Sequence, residues 1–192
     1  MQRKSQALYY MTQQAVSSLN VATRFQDFKA VTKMGLSLSV VFSSIAGYLL
    51  AAEEVRFSVL GLLAVGGYCM VGASNVFNQI IERDLDALMI RTENRPIPSG
   101  RISVTNAFIL GLVLTILGLS VLYVINPRTA MFAAVSIFLY TSVYTPLKQK
   151  TPLSVFAGAI PGAIPFMLGS HSRPSSFLCH FRGIAPNSIF VN

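Results

Sequence analysis

Asn78, Glu82 and Asp86 recur every four residues at the end of an apolar run. On a helix, which the sequence predicts over 57–88, that spacing places all three on one face. They form a ladder about 12 Å long at about 1.5 Å per residue. One amide and two carboxylates in a row are hard oxygen donors. Mg²⁺ is held by one or two carboxylates together with substrate phosphates and water, so the ladder is a candidate Mg²⁺–diphosphate site. Arg83, Arg91, Arg95 and Arg101 follow closely in sequence and could contact phosphate oxygens. Asp84 points largely the other way. The alternative is a helix end with solvated acids balanced by arginine; spacing alone leaves both readings open.

The elements that must position these residues are membrane spans. The chain has 192 residues, 53% hydrophobic and 11% charged, against roughly 25% charged in soluble domains. A soluble core could not hide this much apolar sequence, so the expected fold is an all-α polytopic transmembrane helix bundle. Apolar runs predict five spans, at 34–52, 57–81, 102–125, 129–147 and 151–170. Two cysteines, Cys69 and Cys179, do not make a disulfide framework.

A net charge of +8 could suggest nucleic acid. Its distribution excludes that reading. Lys and Arg gather before the first span, between the second and third, and after the fourth, and the two intervening loops hold only Arg56 and Arg128. This positive-inside pattern puts the amino terminus and the acidic ladder in the cytoplasm, and the partner is the lipid bilayer. Localisation in the cell inner (cytoplasmic) membrane is expected, with the mitochondrial inner membrane as the alternative.

Residues 1–30 read as a polar extension without an apolar run long enough for a signal peptide. Lys29 and Lys33 read as headgroup lysines before the first span. That span is rich in Ser, Ala and Gly, which predicts a face turned more to protein than to lipid. Pro96 and Pro98 exclude a continuous helix over the loop 91–101, a candidate phosphate clamp or a basic linker. The third span, dominated by Leu, Val and Ile, is the most lipid-like, and its expected role is to span. Tyr140 and Tyr144 share a face near the cytoplasmic end of the fourth, as interface anchors or, alternatively, as pocket lining. In the fifth, Pro161 and Pro165 predict a kinked helix inside the bundle. The segment 170–192, with His171, Cys179 and His180, loses membrane character, and no metal site is assigned to it. An out-of-frame or truncated carboxyl terminus is the expectation there.

Three blocks resemble a known family. The ladder followed by Arg91-Thr-Glu-Asn-Arg-Pro-Ile-Pro-Ser-Gly100 resembles the first acidic signature of the UbiA-type intramembrane prenyltransferases. Asp27-Phe-Lys-Ala-Val-Thr-Lys33 resembles the start of the heme O synthases (protoheme IX farnesyltransferases). Tyr144-Thr-Pro-Leu-Lys-Gln-Lys-Thr-Pro152 and Gly158-Ala-Ile-Pro-Gly-Ala-Ile-Pro165 are similar to their middle block. The resemblance covers about 27–169. Glu82 stands where many members have Asp.

The resemblance implies a bundle of about nine helices, of which about five are present in a partial domain over 31–169. It implies transfer of a farnesyl group from farnesyl diphosphate to a vinyl group of heme B, forming heme O. Asn78, Glu82 and Asp86 would hold Mg²⁺ and act as the catalytic set. Arg91, Arg95 and, more weakly, Lys148 would bind the diphosphate. Contact with heme A synthase or terminal oxidase assembly is the implied further partnership. Members continue for several helices beyond the Gly169 position, so this chain alone is expected to be inactive. The rival readings are a quinone or aromatic-acid polyprenyltransferase and a non-enzymatic membrane protein.

Overall fold

A computed structural model describes residues 23–52, 54–148, 158 and 162–167. Most of the expected extension and fifth span, and all of the 170–192 tail with His171, Cys179 and His180, lie outside the described residues. Within them every regular element is helical: a segment at 23–31, α1 (Met34–Ala51), α2 (Phe57–Ile81), α3 (Arg83–Leu88), α4 (Val104–Ile125), α5 (Pro127–Phe138), a π-helical turn (Leu139–Tyr144), α6 (Thr145–Leu147) and a short helical piece at 162–167. Among the described residues, four helical stretches are long and apolar enough to cross a membrane, α1, α2, α4 and Pro127–Leu147.

Local chemistry sets the ends. Ser103 accepts the Asn106 N–H at 3.2 Å and starts α4. Asn126 accepts the Arg128 N–H at 2.9 Å, with Pro127 in the first turn of α5, where its missing donor costs nothing. Between α1 and α2, the Tyr48 hydroxyl accepts the Arg56 N–H at 3.2 Å.

α2 is the central element, flanked by α1 and α4. The α4 face turned to it is a stripe of Ala107, Gly111, Leu114, Gly118, Leu122 and Ile125. Small residues bring the backbones close: a Cβ on Gly111 would meet the Phe77 ring at 2.9 Å, and one on Gly118 would meet Met70 at 2.9 Å. The rest of α4 exposes Ile109, Leu112, Val113 and Ile116. The third expected span therefore does more than face lipid. It is a principal packing partner of the helix that carries the acidic ladder. α1 is likewise two-sided: Ser37, Val41, Ser44, Gly47 and Tyr48 are buried, whereas Leu38, Phe42 and Leu50 point outward.

The single helix expected over 57–88 is corrected to two. Glu82, at φ −92° and ψ 1°, joins α2 to α3. Its carboxylate is tied to Asn78 and to Lys148. The four-residue hydrogen-bond rhythm continues through it: Glu82 N–H donates to Asn78 O at 3.0 Å, and Asp86 N–H donates to Glu82 O at 2.8 Å. The three-rung stripe thus survives the bend.

Candidate diphosphate and metal site

Asn78, Glu82 and Asp86 are all buried, while Asp84 is exposed. Burying two carboxylates demands partners, since an unpaired buried charge is far costlier than a paired one. Each carboxylate has one. Lys148 Nζ lies 2.7 Å from Glu82 Oε1. Arg95 Nη1 lies 2.5 Å from Asp86 Oδ2. The Asn78 amide donates to Glu82 Oε2 at 2.9 Å, and its Oδ1 accepts from the Thr145 hydroxyl at 3.0 Å. Thr145 also reaches Tyr140 O at 2.8 Å.

The loop that delivers Arg95 is a series of turns seated on the core. The Thr92 hydroxyl donates to Asp86 O at 2.8 Å, Arg95 N–H donates to Thr92 O at 3.0 Å, and Ile97 is buried. Gly100, at φ 77°, makes the left-handed turn that glycine tolerates best. Arg101 binds Asp27 Oδ1 at 2.9 Å and Asn94 O at 3.0 Å, which straps the loop to the 23–31 segment.

Of the basic residues suggested by sequence, the fold therefore brings Arg95 and Lys148 to the carboxylates. Arg83 instead pairs with exposed Asp84 at 3.1 Å, and Arg101 with Asp27. Arg91 is exposed and makes no ion pair among the described residues.

Lys33 is the residue whose place sequence reasoning missed. It is the residue before α1, in the left-handed conformation at φ 47° and ψ 58°. It lies within electrostatic reach of the site. Burial pushes its ammonium pKa below the usual lysine range, Arg95 and Lys148 push the same way, and Glu82 and Asp86 oppose them. Thr145, which orients Asn78, was missed as well. Only its neighbourhood to Lys148 in the third block could have hinted at it.

Beside the site lies a cavity of about 490 Å³ lined by Leu36, Val40, Val71, Asn75, Tyr140, Tyr144, Gly162 and Pro165, among others. That volume suits a single small ligand in a mostly apolar setting. Tyr140 and Tyr144 line it as a pair with ring centroids 5.2 Å apart, and the Lys148 ammonium stands 5.8 Å from the Tyr144 ring. They thus line the cavity, the alternative that the sequence left open: the π-helical turn, closed by the Thr145 N–H on Tyr140 O, carries both into its wall.

The donor set fits a small hard cation in one specific way. Two carboxylates stand a helical turn apart, the Asn78 amide turns its nitrogen to Glu82 and its oxygen to Thr145, and no cluster of three or more acid, His or Cys side chains occurs among the described residues. This is not a full protein cage. It is what a cation sharing its ligands with a phosphate group requires.

Comparison with known proteins then bears on this geometry. Residues 40–179 match the model of the UbiA prenyltransferase family. The chain is 62% identical over 170 residues to a protoheme IX farnesyltransferase of Christiangramia forsetii, a match covering 88% of this chain and 55% of that protein. It is 62% identical over 170 residues to the protein of that name from Flavobacterium psychrophilum, covering 87% and 55%. The chain thus spans about half the length of the curated relatives it matches. Among solved structures, a digeranylgeranylglyceryl phosphate synthase superposes with a TM-score of 0.73 at 21% identity, over 84% of this chain and 60% of that one. A UbiA homologue from Archaeoglobus fulgidus bound to GPP and Mg²⁺ superposes with a TM-score of 0.67 at 18% identity, over 75% and 53%.

Proposed function

Since the chain belongs to the UbiA prenyltransferase family, we propose that its acidic stripe and paired cations are the diphosphate-binding half of a farnesyl-transfer centre. The donor substrate is farnesyl diphosphate, the acceptor is a vinyl group of heme B, and the product is heme O. The names of the similar proteins support this choice of acceptor over an aromatic acid. The membrane is the inner one, with the acidic stripe at its cytoplasmic side, as the lysine and arginine distribution suggests. Heme A synthase or terminal oxidase assembly is the proposed downstream contact.

One observation carries the reading: two buried carboxylates, each held by its own cation, beside an apolar cavity. Glu82 and Asp86, oriented with Asn78, would hold Mg²⁺; the solved homologue with GPP and Mg²⁺ supports a divalent metal for the family. Bound there, Mg²⁺ would neutralise charge on the departing diphosphate and so ease cleavage of the allylic C–O bond. Arg95 and Lys148, released from the carboxylates, would turn to the diphosphate oxygens. Arg91, exposed, would be recruited from the loop. Tyr140, Tyr144 and the aliphatic wall would keep water from the allylic carbon until transfer.

The test is binding of farnesyl thiodiphosphate, a non-reacting analogue, to the full 192-residue chain in lipid nanodiscs. Binding should require Mg²⁺ and be lost in Asp86→Ala. Binding that ignores both Mg²⁺ and the Asp86→Ala change would refute the reading.

A further inference from the structure

The cavity beside the acidic stripe has a second, much smaller chamber of about 40 Å³. The two chambers share Val40, Val71, Ser74, Ser136 and Pro165 as lining, so these residues form a waist between them. Beyond the waist the small chamber is lined by Val41 and Ser44 of α1, Gly67 and Met70 of α2, and Ala133 of α5, among others. Three helices thus each bring a small side chain, or none, to the same spot.

Helix geometry gives its depth. Gly67 lies eleven residues before Asn78, and Ala133 twelve before Thr145, the residue bonded to Asn78. At about 1.5 Å per residue each interval is about 16–18 Å. An extended isoprene unit, four carbon–carbon bonds in a zigzag, is about 5 Å long, so three units starting at the ladder end at this depth.

The wall suits such a chain. Two of its three serines spend their hydroxyls on their own helices: Ser44 Oγ donates to Val40 O at 3.3 Å, and Ser74 Oγ to Met70 O at 2.8 Å. A space of about 40 Å³ takes roughly three water-sized groups. The forked end of an isoprenoid, one carbon bearing two methyls, is of that size. Past the chamber the way is closed among the described residues. Met70 and Ala133 belong to a buried cluster with Tyr48 and Leu63, and a fourth isoprene unit would have to displace this packed core. Gly67 is where the chamber could most easily be made smaller: a Cβ there would meet Val41 Cγ2 at 3.6 Å, an ordinary contact.

We propose that the small chamber seats the last isoprene unit of the donor, and that Gly67 and Met70 set the accepted length at three units. The inference rests on the functional reading above and adds to it the residues that select chain length. Selection of this kind needs no charge, because one methylene gained or lost in an apolar pocket shifts discrimination about tenfold or more.

The experiment measures binding of geranyl, farnesyl and geranylgeranyl thiodiphosphates, with Mg²⁺, to the full chain in nanodiscs. Comparing each variant's affinity ratios with those of the wild type cancels unequal partition into lipid. The wild type should prefer the farnesyl analogue to both others. Gly67→Ala should fold with an unchanged or higher melting temperature, since alanine is the better helix former, and should move the farnesyl-to-geranyl ratio about tenfold towards geranyl. Met70→Ala opens the floor and should move the geranylgeranyl-to-farnesyl ratio about tenfold towards geranylgeranyl. Both variants should bind inorganic pyrophosphate with Mg²⁺ as the wild type does. If Gly67→Ala fails to fold, Ser44→Val, which adds bulk from α1, replaces it. An unchanged ratio in either variant, or a matching fall in its pyrophosphate affinity, overturns the role of that residue. Unchanged ratios in both, or a wild type that prefers a shorter or longer analogue, overturn the inference and leave the functional reading standing as long as Asp86→Ala abolishes binding. A wild type that binds none of the analogues, or an Asp86→Ala chain that still binds them, removes the functional reading and this inference together.

Discussion

Arg95→Met should move two affinities in opposite directions. The guanidinium holds Asp86 Oδ2 at 2.5 Å, with the aspartate side chain 7% exposed and the arginine 26%. Exposed ion pairs contribute about 0.2–1 kcal/mol, and breaking a buried one costs about 3–5 kcal/mol. This pair lies between those limits, so its coupling should be about 2 kcal/mol. On the proposed reading a metal must take Asp86 away from Arg95 before it can bind. Removing Arg95 lifts that competition and leaves Asp86 unopposed, one turn from Glu82, which Lys148 still holds. Part of the coupling, about 1.4 kcal/mol, would raise the affinity for Mg²⁺ alone about tenfold. Affinity for farnesyl thiodiphosphate should fall about tenfold or more, because a charge-assisted contact to the diphosphate is lost.

Titration of nanodisc-embedded chain with Mn²⁺, followed by electron paramagnetic resonance, measures the first quantity, and calorimetry with the analogue measures the second. A thermal-unfolding cycle of Arg95→Met, Asp86→Asn and the double variant gives the coupling independently. If metal and analogue affinities fall together, Arg95 merely supports the fold, and the partner-exchange argument fails.

Three further outcomes follow from the same geometry. Lys33→Met should raise the ligand-free melting temperature at neutral pH, because the folded protein lowers the lysine pKa from its usual 10.5 and so holds the charged form at a cost. The unfolded chain binds the proton more tightly, so wild-type stability rises with pH through that window; the variant's advantage should be complete below the folded pKa and gone above 10.5. An advantage that persists into strong alkali would show a packing effect instead. Thr145→Val removes the hydroxyl between Asn78 and Tyr140 and should cost about 1 kcal/mol in thermal unfolding, with weaker metal binding as Asn78 loses its orientation; unchanged metal binding would separate Thr145 from the site. Gly162 lines the cavity, and a Cβ there meets nothing within 4 Å among the described residues. Gly162→Leu should therefore fold normally, exclude the farnesyl analogue and still bind inorganic pyrophosphate with Mg²⁺; equal loss of both ligands would place the isoprenoid elsewhere.

The acidic ladder was legible because it is local. Asn78, Glu82 and Asp86 are linked by i, i+4 geometry, and that geometry outlasts the bend at Glu82, which leaves no trace in hydropathy. The family blocks were legible for the same reason. What escaped was everything joined over distance. Arg101 finds Asp27 across 74 residues, and Thr145 finds Asn78 across 67. Lys33 resembles any lysine before a membrane span until Asn75 and Gln79 draw its turn onto α2. The burial pattern of α4 was hidden for a different reason. Its lipid-facing and helix-facing sides are both apolar, so no periodicity distinguishes Ile109 from Leu114. Only the small residues Ala107, Gly111 and Gly118 mark the contact face, and α1 carries small residues too.

Charge balance explains why the site can form before any ligand arrives. Two buried carboxylates in an apolar bundle need counter-charges. Lys148 and Arg95 supply them. A fully ionised prenyl diphosphate with one Mg²⁺ carries a net negative charge. On the proposed reading its arrival exchanges partners: carboxylates pass to the metal and cations to the phosphates. Every buried charge keeps a counter-charge throughout, so binding need not pay the desolvation penalty of an unpaired ion. That economy requires cations that can let go, which is consistent with Arg95 and Lys148 each keeping part of its side chain exposed while the acids they hold are buried.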